Sequence, residues 1–473
     1  MPRILLIIPL ILLVALPARA NAPVHLPARH ASDVGPNRPN NAVFRLPHVI
    51  APQLLDPLNP EDFQTIHDGG PTAQCIDIVL MGDGYVLLER DQFFADAQQL
   101  ASRFFELSPY AEYASFFNIH ALFVASEQSG ASHPSQGIQV TNAFGTTFDY
   151  DGVERLAVAD DVKVLKAAHA AMADFDYAMV LVNDTQYGGS GGVAPVVSLH
   201  PESVSIARHE LAHSLAKLAD EYPDAYPGYP AGDPEPNVAL AAHLNPLKWS
   251  AWVEDGTPIP TPDDITTSAY TPVGAYEGAR YQEKGVYRPA PQCIMRALDS
   301  EFCPVCAEAM VLAFHRKTSL LRVALPEDAT VACMIGNCPI FHVETAPIGT
   351  AQIQWLRGDQ VLGTGPSWTP GPLDAGEYEL RLEVRDATTK VRHDPKNVLL
   401  EQHAWQLTVQ GGPDAADSDV ADSGAADSDV ADSAATISAN PVAAQGGCSA
   451  SPSAGSAWPW LLLLAVERKR RRT

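Results

Sequence analysis

The chain has 473 residues, 46% of them hydrophobic and 18% charged. That is enough apolar material to bury a core, and it excludes a wholly disordered or fibrous protein. Asp and Glu outnumber Lys and Arg by 56 to 31, for a net charge of −25, and so acidic a surface repels phosphate backbones, which excludes nucleic acid as an expected partner.

Residues 1–20 begin with Arg3, run through an apolar stretch and end in Ala18-Arg19-Ala20. These are the three parts of a secretory signal peptide. Residues 21–70 are rich in Pro, Asn and His with little periodicity, so a loosely ordered lead-in is expected. From Cys75 the pattern sharpens. Ile76-Asp77-Ile78-Val79-Leu80, followed by Gly82-Asp83-Gly84, reads as a buried strand and its turn. Residues 88–105 and 160–173 carry apolar positions at helical spacing, and residues 177–182 are a second buried strand. Strands alternating with helices predict an α/β unit, which is assigned residues 71–318. Residues 187–192, Tyr-Gly-Gly-Ser-Gly-Gly, precede an apolar run at 193–199. The pair reads as a flexible loop and an edge strand that could take an extended peptide by strand addition.

The chemistry concentrates in residues 201–222, which read as one helix entered at Pro201. Val204, Ala207, Leu211, Leu215 and Leu218 make one stripe, while His209 and His213 stand one turn apart on the other side. Two imidazoles at i and i+4 can bond one Zn²⁺, and Glu210 between them can act on its water. A catalytic zinc needs a third protein ligand. Asp220 is favoured and Glu221 is the alternative. On a continuous helix Asp220 would lie about 10 Å along the axis from His213, so it can ligate only if the helix breaks near residues 216–218. If Lys217 must take φ > 0 at that break, a lysine there costs roughly 1 kcal/mol.

Cys303-Pro304-Val305-Cys306 opens a helical segment. A CxxC at a helix start is also the pattern of a redox dithiol, but residues 288–301 show no strand to support one. A disulfide from Cys293 to Cys303 or Cys306 is expected, with another joining Cys333 and Cys338. No second CxxC exists, so a second structural zinc is not expected. Tyr281 or Tyr287 could offer a phenol to an oxyanion.

Residues 352–356, 376–384 and 404–409 alternate apolar with polar positions between turn clusters. This predicts a small all-β sandwich over residues 319–410, with Trp355 in its core and Tyr378 at a corner. Residues 411–447 contain AADSDVADS twice, at 415–423 and 425–433, an acidic repeat expected to be a solvated tether. Residues 448–473 hold Cys448, an apolar run around 458–466 and the basic cluster 468–472. That run is well short of the ~20 residues a spanning helix needs.

Three of these patterns resemble known families. The tail resembles the C-terminal surface-sorting signals of myxobacteria and their relatives, which implies an exported protein held at the cell surface and touching membrane only through this tail. The β-rich segment resembles an immunoglobulin-like or PKD-like module. More specifically, HELAHSLAKLADEY at 209–222 resembles the HExGHxxxxLADEY signature of the IgA-peptidase family of secreted zinc metallopeptidases, of metzincin-like type. The resemblance extends to residues 79–85, 183–192, Glu235-Pro236-Asn237 with Lys248-Trp249, 276–281, 286–289, 293–295 and 302–306, so it covers roughly residues 70–318. It implies a metzincin-like α/β (α+β) peptidase domain with His209, His213 and Asp220 as zinc ligands and Glu210 as general base. It also implies Met295 in a Met-turn beneath the metal. The expected protein is a monomeric, surface-exposed zinc endopeptidase acting on protein or peptide substrates. The alternative is a surface adhesin whose metal site is structural or vestigial and whose β-sandwich does the binding.

Overall fold

A computed structural model describes residues 59–224, 229, 232–263 and 272–411. The expected signal peptide, the acidic repeat and the sorting tail lie outside the described residues. Strands β1 (Phe63–His67), β2 (Ile76–Asp83), β3 (Phe117–Leu122), β4 (Tyr177–Val182), β5 (Gly189–Ser190) and β6 (Val196–Ser198) form one sheet in the order β1-β3-β2-β4-β6-β5. Its four inner strands are parallel, and β1 and β5 are antiparallel edges. All eight residues of β2 are buried, Asp77 and Asp83 among them, and its other positions are apolar or glycine rather than alternating, as a parallel strand covered on both faces requires. Alternate residues serve different cores. Ile78 and Leu80 join Phe93 and Ala97 of α1 (Arg90–Phe104) together with Ala207 and Leu211. Val79 and Met81 join Val164 and Ala168 of α2 (Asp161–Ala171).

Two expectations change here. The lead-in assigned to residues 21–70 is not loose throughout, because Phe63–His67 pairs with β3 as the sheet's edge. The run 193–199 is not an edge strand, because β6 lies between β4 and β5. On the outer side of β5, the Gly189 amide donates to the Arg155 carbonyl and its carbonyl accepts from Ala157. The edge is therefore already occupied at Gly189.

The turn after β2 is tied down by Asp83, whose buried carboxylate accepts from the backbone amides of Gly84, Phe144 and Thr146. Gly84 sits at φ 71°, with the Gly130 carbonyl where a Cβ would point, so only glycine fits.

Next come α3 (Ser203–Ala216), a three-stranded sheet of β7 (Ala239–Leu240), β8 (Tyr276–Ala279) and β9 (Gln282–Arg288), and α4 (Pro304–Lys317), which has proline at its first position. The remaining strands are β10 (Leu321–Leu325), β11 (Thr330–Met334), β12 (Phe341–Thr345), β13 (Ala351–Arg357), β14 (Gln360–Thr364), β15 (Ser367–Trp368), β16 (Gly376–Asp386) and β17 (Leu400–Gln410). They form two sheets, β10-β12-β15 and β11-β17-β16-β13-β14. Trp355 and Trp405 of the larger sheet meet Phe341 of the smaller, and all three are fully buried. The Tyr378 hydroxyl donates to the Asp374 carbonyl four residues upstream, at 3.0 Å.

Buried Asp386, at the end of β16, joins this region to the α/β part by accepting from Tyr113 at 2.6 Å and from His315 of α4 at 2.9 Å. Cys333 and Cys338 are bonded, as expected. Cys293, Cys303 and Cys306 are not: all three are buried and unbridged, which corrects the expected disulfide between Cys293 and the CxxC.

Candidate metal centre

Helix α3 does not run through to residue 222. It stops at Ala216, and Lys217 takes φ 57°, ψ 37°. The Lys217 amide donates to the His213 carbonyl at 3.1 Å and the Leu218 amide to the Ala212 carbonyl at 3.5 Å, closing the helix at a left-handed residue. The break needed to bring Asp220 back therefore occurs, with lysine where glycine is usual. The conformation costs a residue with a Cβ roughly 1 kcal/mol or more, and glycine would lose part of that gain through its freer unfolded chain. Lys217→Gly is accordingly expected to raise stability by roughly 0.5 kcal/mol, read as a higher denaturation midpoint. A lower midpoint would mean that the bond from Lys217 Nζ to the Ser214 carbonyl outweighs the strain.

Beyond the bend the strap is braced at every residue. Ala219 exchanges two hydrogen bonds with the Asn237 amide, Oδ1 at 2.8 Å and Nδ2 at 2.9 Å. The Asp220 carbonyl accepts from the Arg280 amide, and the Glu221 amide donates to the Met295 carbonyl. Asp220 and Glu221 are fully buried and face different neighbours. Asp220 Oδ1 lies 3.1 Å from His209 Nε2 and 3.3 Å from His213 Nε2. Glu221 Oε1 accepts from Asn237 and Cys306. Of the two alternatives, Asp220 reaches the imidazoles and Glu221 does not.

The rings are fixed from behind. His209 Nδ1 donates to the Ile294 carbonyl at 3.0 Å, and His213 Nδ1 donates to the Leu218 carbonyl at 2.6 Å. With both Nδ1 atoms committed as donors, the neutral rings turn two Nε2 lone pairs toward each other across 3.0 Å, an arrangement that repels unless a cation sits between them. Burial by itself lowers the His209 pKa, yet the Asp220 hydrogen bond and the charges of Glu210 and Asp220 raise it to about 9. The pocket selects positive charge. Three donors each ~2.0–2.1 Å from one tetrahedral zinc would lie about 3.3 Å apart. The observed separations of 3.0, 3.1 and 3.3 Å fit that ion, and Nδ1–H bonds to carbonyls are the usual outer support of zinc-bound histidines.

Glu210 joins His209 and His213 as a group able to hold a metal. Its carboxylate lies over Gly191: a Cβ there would fall 2.0 Å from Oε2, so the glycine-rich loop leaves the space that this carboxylate occupies. Met295, fully buried, lies in the turn that follows Cys293, closed by Arg296 and Ala297 amides donating to the Cys293 carbonyl.

The two candidate tyrosines separate. The Tyr281 hydroxyl donates to Asp220 Oδ2 at 2.5 Å and lies 3.1 Å from that of Tyr222. Burial and the Asp220 charge push its phenol far above the usual range, so it stays a donor. Tyr287 instead interacts with Glu277. Arg280 and Tyr281 are the two central residues of the β8–β9 turn and both have positive φ, 53° and 58°. Such a pair belongs to a type I′ hairpin turn, here without glycine, and it delivers Tyr281 to Asp220. The bracing by Asn237, Ile294 and Leu218 was not read from the sequence. Asn237 lay within a motif that the resemblance covers, whereas a backbone carbonyl leaves no signal.

A protein-family model described as IgA Peptidase M64 matches residues 65–272 and 263–314, which is more than half of the chain. No curated protein matches it.

Proposed function

The chain belongs to the IgA Peptidase M64 family, and on that premise we propose that it is a zinc-dependent endopeptidase that hydrolyses peptide bonds in extracellular proteins. The observation that carries this reading is the triangle of His209 Nε2, His213 Nε2 and Asp220 Oδ1, backed by two Nδ1–H bonds to carbonyls. These three residues would hold the zinc, which when bound supplies a Lewis acid for the scissile carbonyl and a water acidified toward pKa ~7.

The chain's own groups do the rest. Glu210, one residue from the first ligand and itself not a ligand, takes the proton of the attacking water on its carboxylate and returns it to the departing amine. Tyr281 holds Asp220 by its second oxygen and so orients the first. The metzincin-like assignment is supported by the helix that ends one turn after His213, the fold-back to Asp220 and the turn carrying Met295. The immunoglobulin-like reading of residues 319–410 is supported by two sheets meeting at Phe341, Trp355 and Trp405 and by the Tyr378 corner. Export, attachment at the surface through the tail and a monomeric state complete the proposal, the first two resting on the sequence of the two ends.

The purified full chain should cleave casein, lose that activity to a chelator and recover it with added zinc. If it binds zinc and degrades no protein under these conditions, the adhesin reading takes its place.

A further inference from the structure

We propose a second, structural metal site directly behind the first, in which Cys293, Cys303, Cys306 and Glu221 hold one zinc ion. Their four ligand atoms all lie within 4.8 Å of one another, and all four residues are completely buried. Two thiolates on one zinc at ~2.3 Å stand about 3.8 Å apart at the tetrahedral angle, so the cluster has the size of a mononuclear site. Three cysteines and one carboxylate make four ligands and leave no position for water, which is the mark of a structural rather than a catalytic zinc. Thiolates favour a borderline-soft ion over calcium or magnesium.

An independent observation points to a cation at this place. Glu221 is 0% exposed, yet its Oε2 has no hydrogen-bond partner among the described residues. A buried carboxylate with an orphaned oxygen is costly unless a proton or a metal ion completes it, and three thiols beside it favour the metal. A disulfide does not resolve this. Three thiols form at most one bridge, which would strand the third sulfur and leave Oε2 as it is. Three thiolates, a carboxylate and a divalent ion sum to −2, and two arginines stand nearby. Arg288 is buried close enough to Glu221 for each to feel the other's charge, and Arg296 donates to the Glu221 carbonyl at 3.1 Å.

The site unites three segments distant in sequence. Glu221 follows Asp220. Cys293 precedes Ile294, whose carbonyl fixes His209. Cys303 and Cys306 begin α4. An ion here clamps together the strap, the turn and the helix on which the first site rests. Such a site needs no second CxxC, the lack of which argued against a second zinc, since its fourth ligand is a carboxylate.

The test separates the two sites by their chemistry. The first offers no sulfur, so on replacing zinc with cobalt in the full chain, any thiolate-to-cobalt charge-transfer absorption in the near ultraviolet reports the second site alone. The wild type is expected to hold two equivalents of zinc and to show this band. A His209→Ala/His213→Ala variant is expected to keep one equivalent and the band undiminished. Absence of the band from the wild-type cobalt protein would overturn the proposal. So would a mass map of the unreduced chain that finds a bridge between any two of Cys293, Cys303 and Cys306.

Discussion

Glu210→Gln is expected to lower kcat on casein by about 10²–10⁴-fold while leaving the zinc content unchanged. The substitution keeps the size and planarity of the side chain, so the space over Gly191 still accommodates it. It removes the negative charge, and with it the capacity to accept and return a proton. Because His209, His213 and Asp220, the proposed zinc ligands, stay in place, metal analysis and kcat should part company. Equal loss of both would mean that Glu210 holds the metal rather than the proton. A variant that cleaves as fast as the wild type would remove general-base catalysis from the mechanism.

Much of this site was legible in the sequence because its signals are local. An i, i+4 histidine pair reads the same way whatever surrounds it, and the buried runs at 76–80 and 177–182 announce parallel strands by composition. What was not legible is non-local. Residues 201–222 read as one helix because Leu218 continues the apolar stripe. Leu218 is indeed buried, but it is reached through a left-handed residue at 217 rather than through another helical turn. Lysine at that position carried no sign of the bend. The short strand at 63–67 was hidden by a proline- and asparagine-rich context, and only its pairing with β3 defines it. The cysteine trio was misread for the same reason: spacing suggested a disulfide, whereas the deciding partner, Glu221, lies more than seventy residues away in sequence and reaches the thiols only after the fold-back.

Asp220 and Tyr281 should differ in kind, not only in degree. Asp220→Asn replaces a charged donor by a weak neutral one, and a structural zinc bound by four ligands with ~10–16 kcal/mol makes each ligand worth about 3 kcal/mol, so zinc affinity should fall by up to about 100-fold. Tyr281→Phe removes the bond to Asp220 Oδ2 and the hydroxyl contact with Tyr222 but no zinc donor, and the loss of such an outer support costs about 10–100-fold in affinity or activity. The pH profile separates them. In the metal-free protein the neighbouring carboxylates raise His209 to about 9, so below that pH zinc must displace a proton. Apparent affinity should then climb about tenfold per pH unit and level off near pH 9. Asp220→Asn deletes both the hydrogen bond and one of the charges that raise His209, so its plateau should begin at lower pH despite the weaker binding. Tyr281→Phe retains the carboxylate and should level off where the wild type does. Competition with a chromophoric chelator from neutral to alkaline pH reads both the height and the position of the plateau. If Asp220→Asn levels off at the wild-type pH, Asp220 is not the group that sets the charge of this pocket.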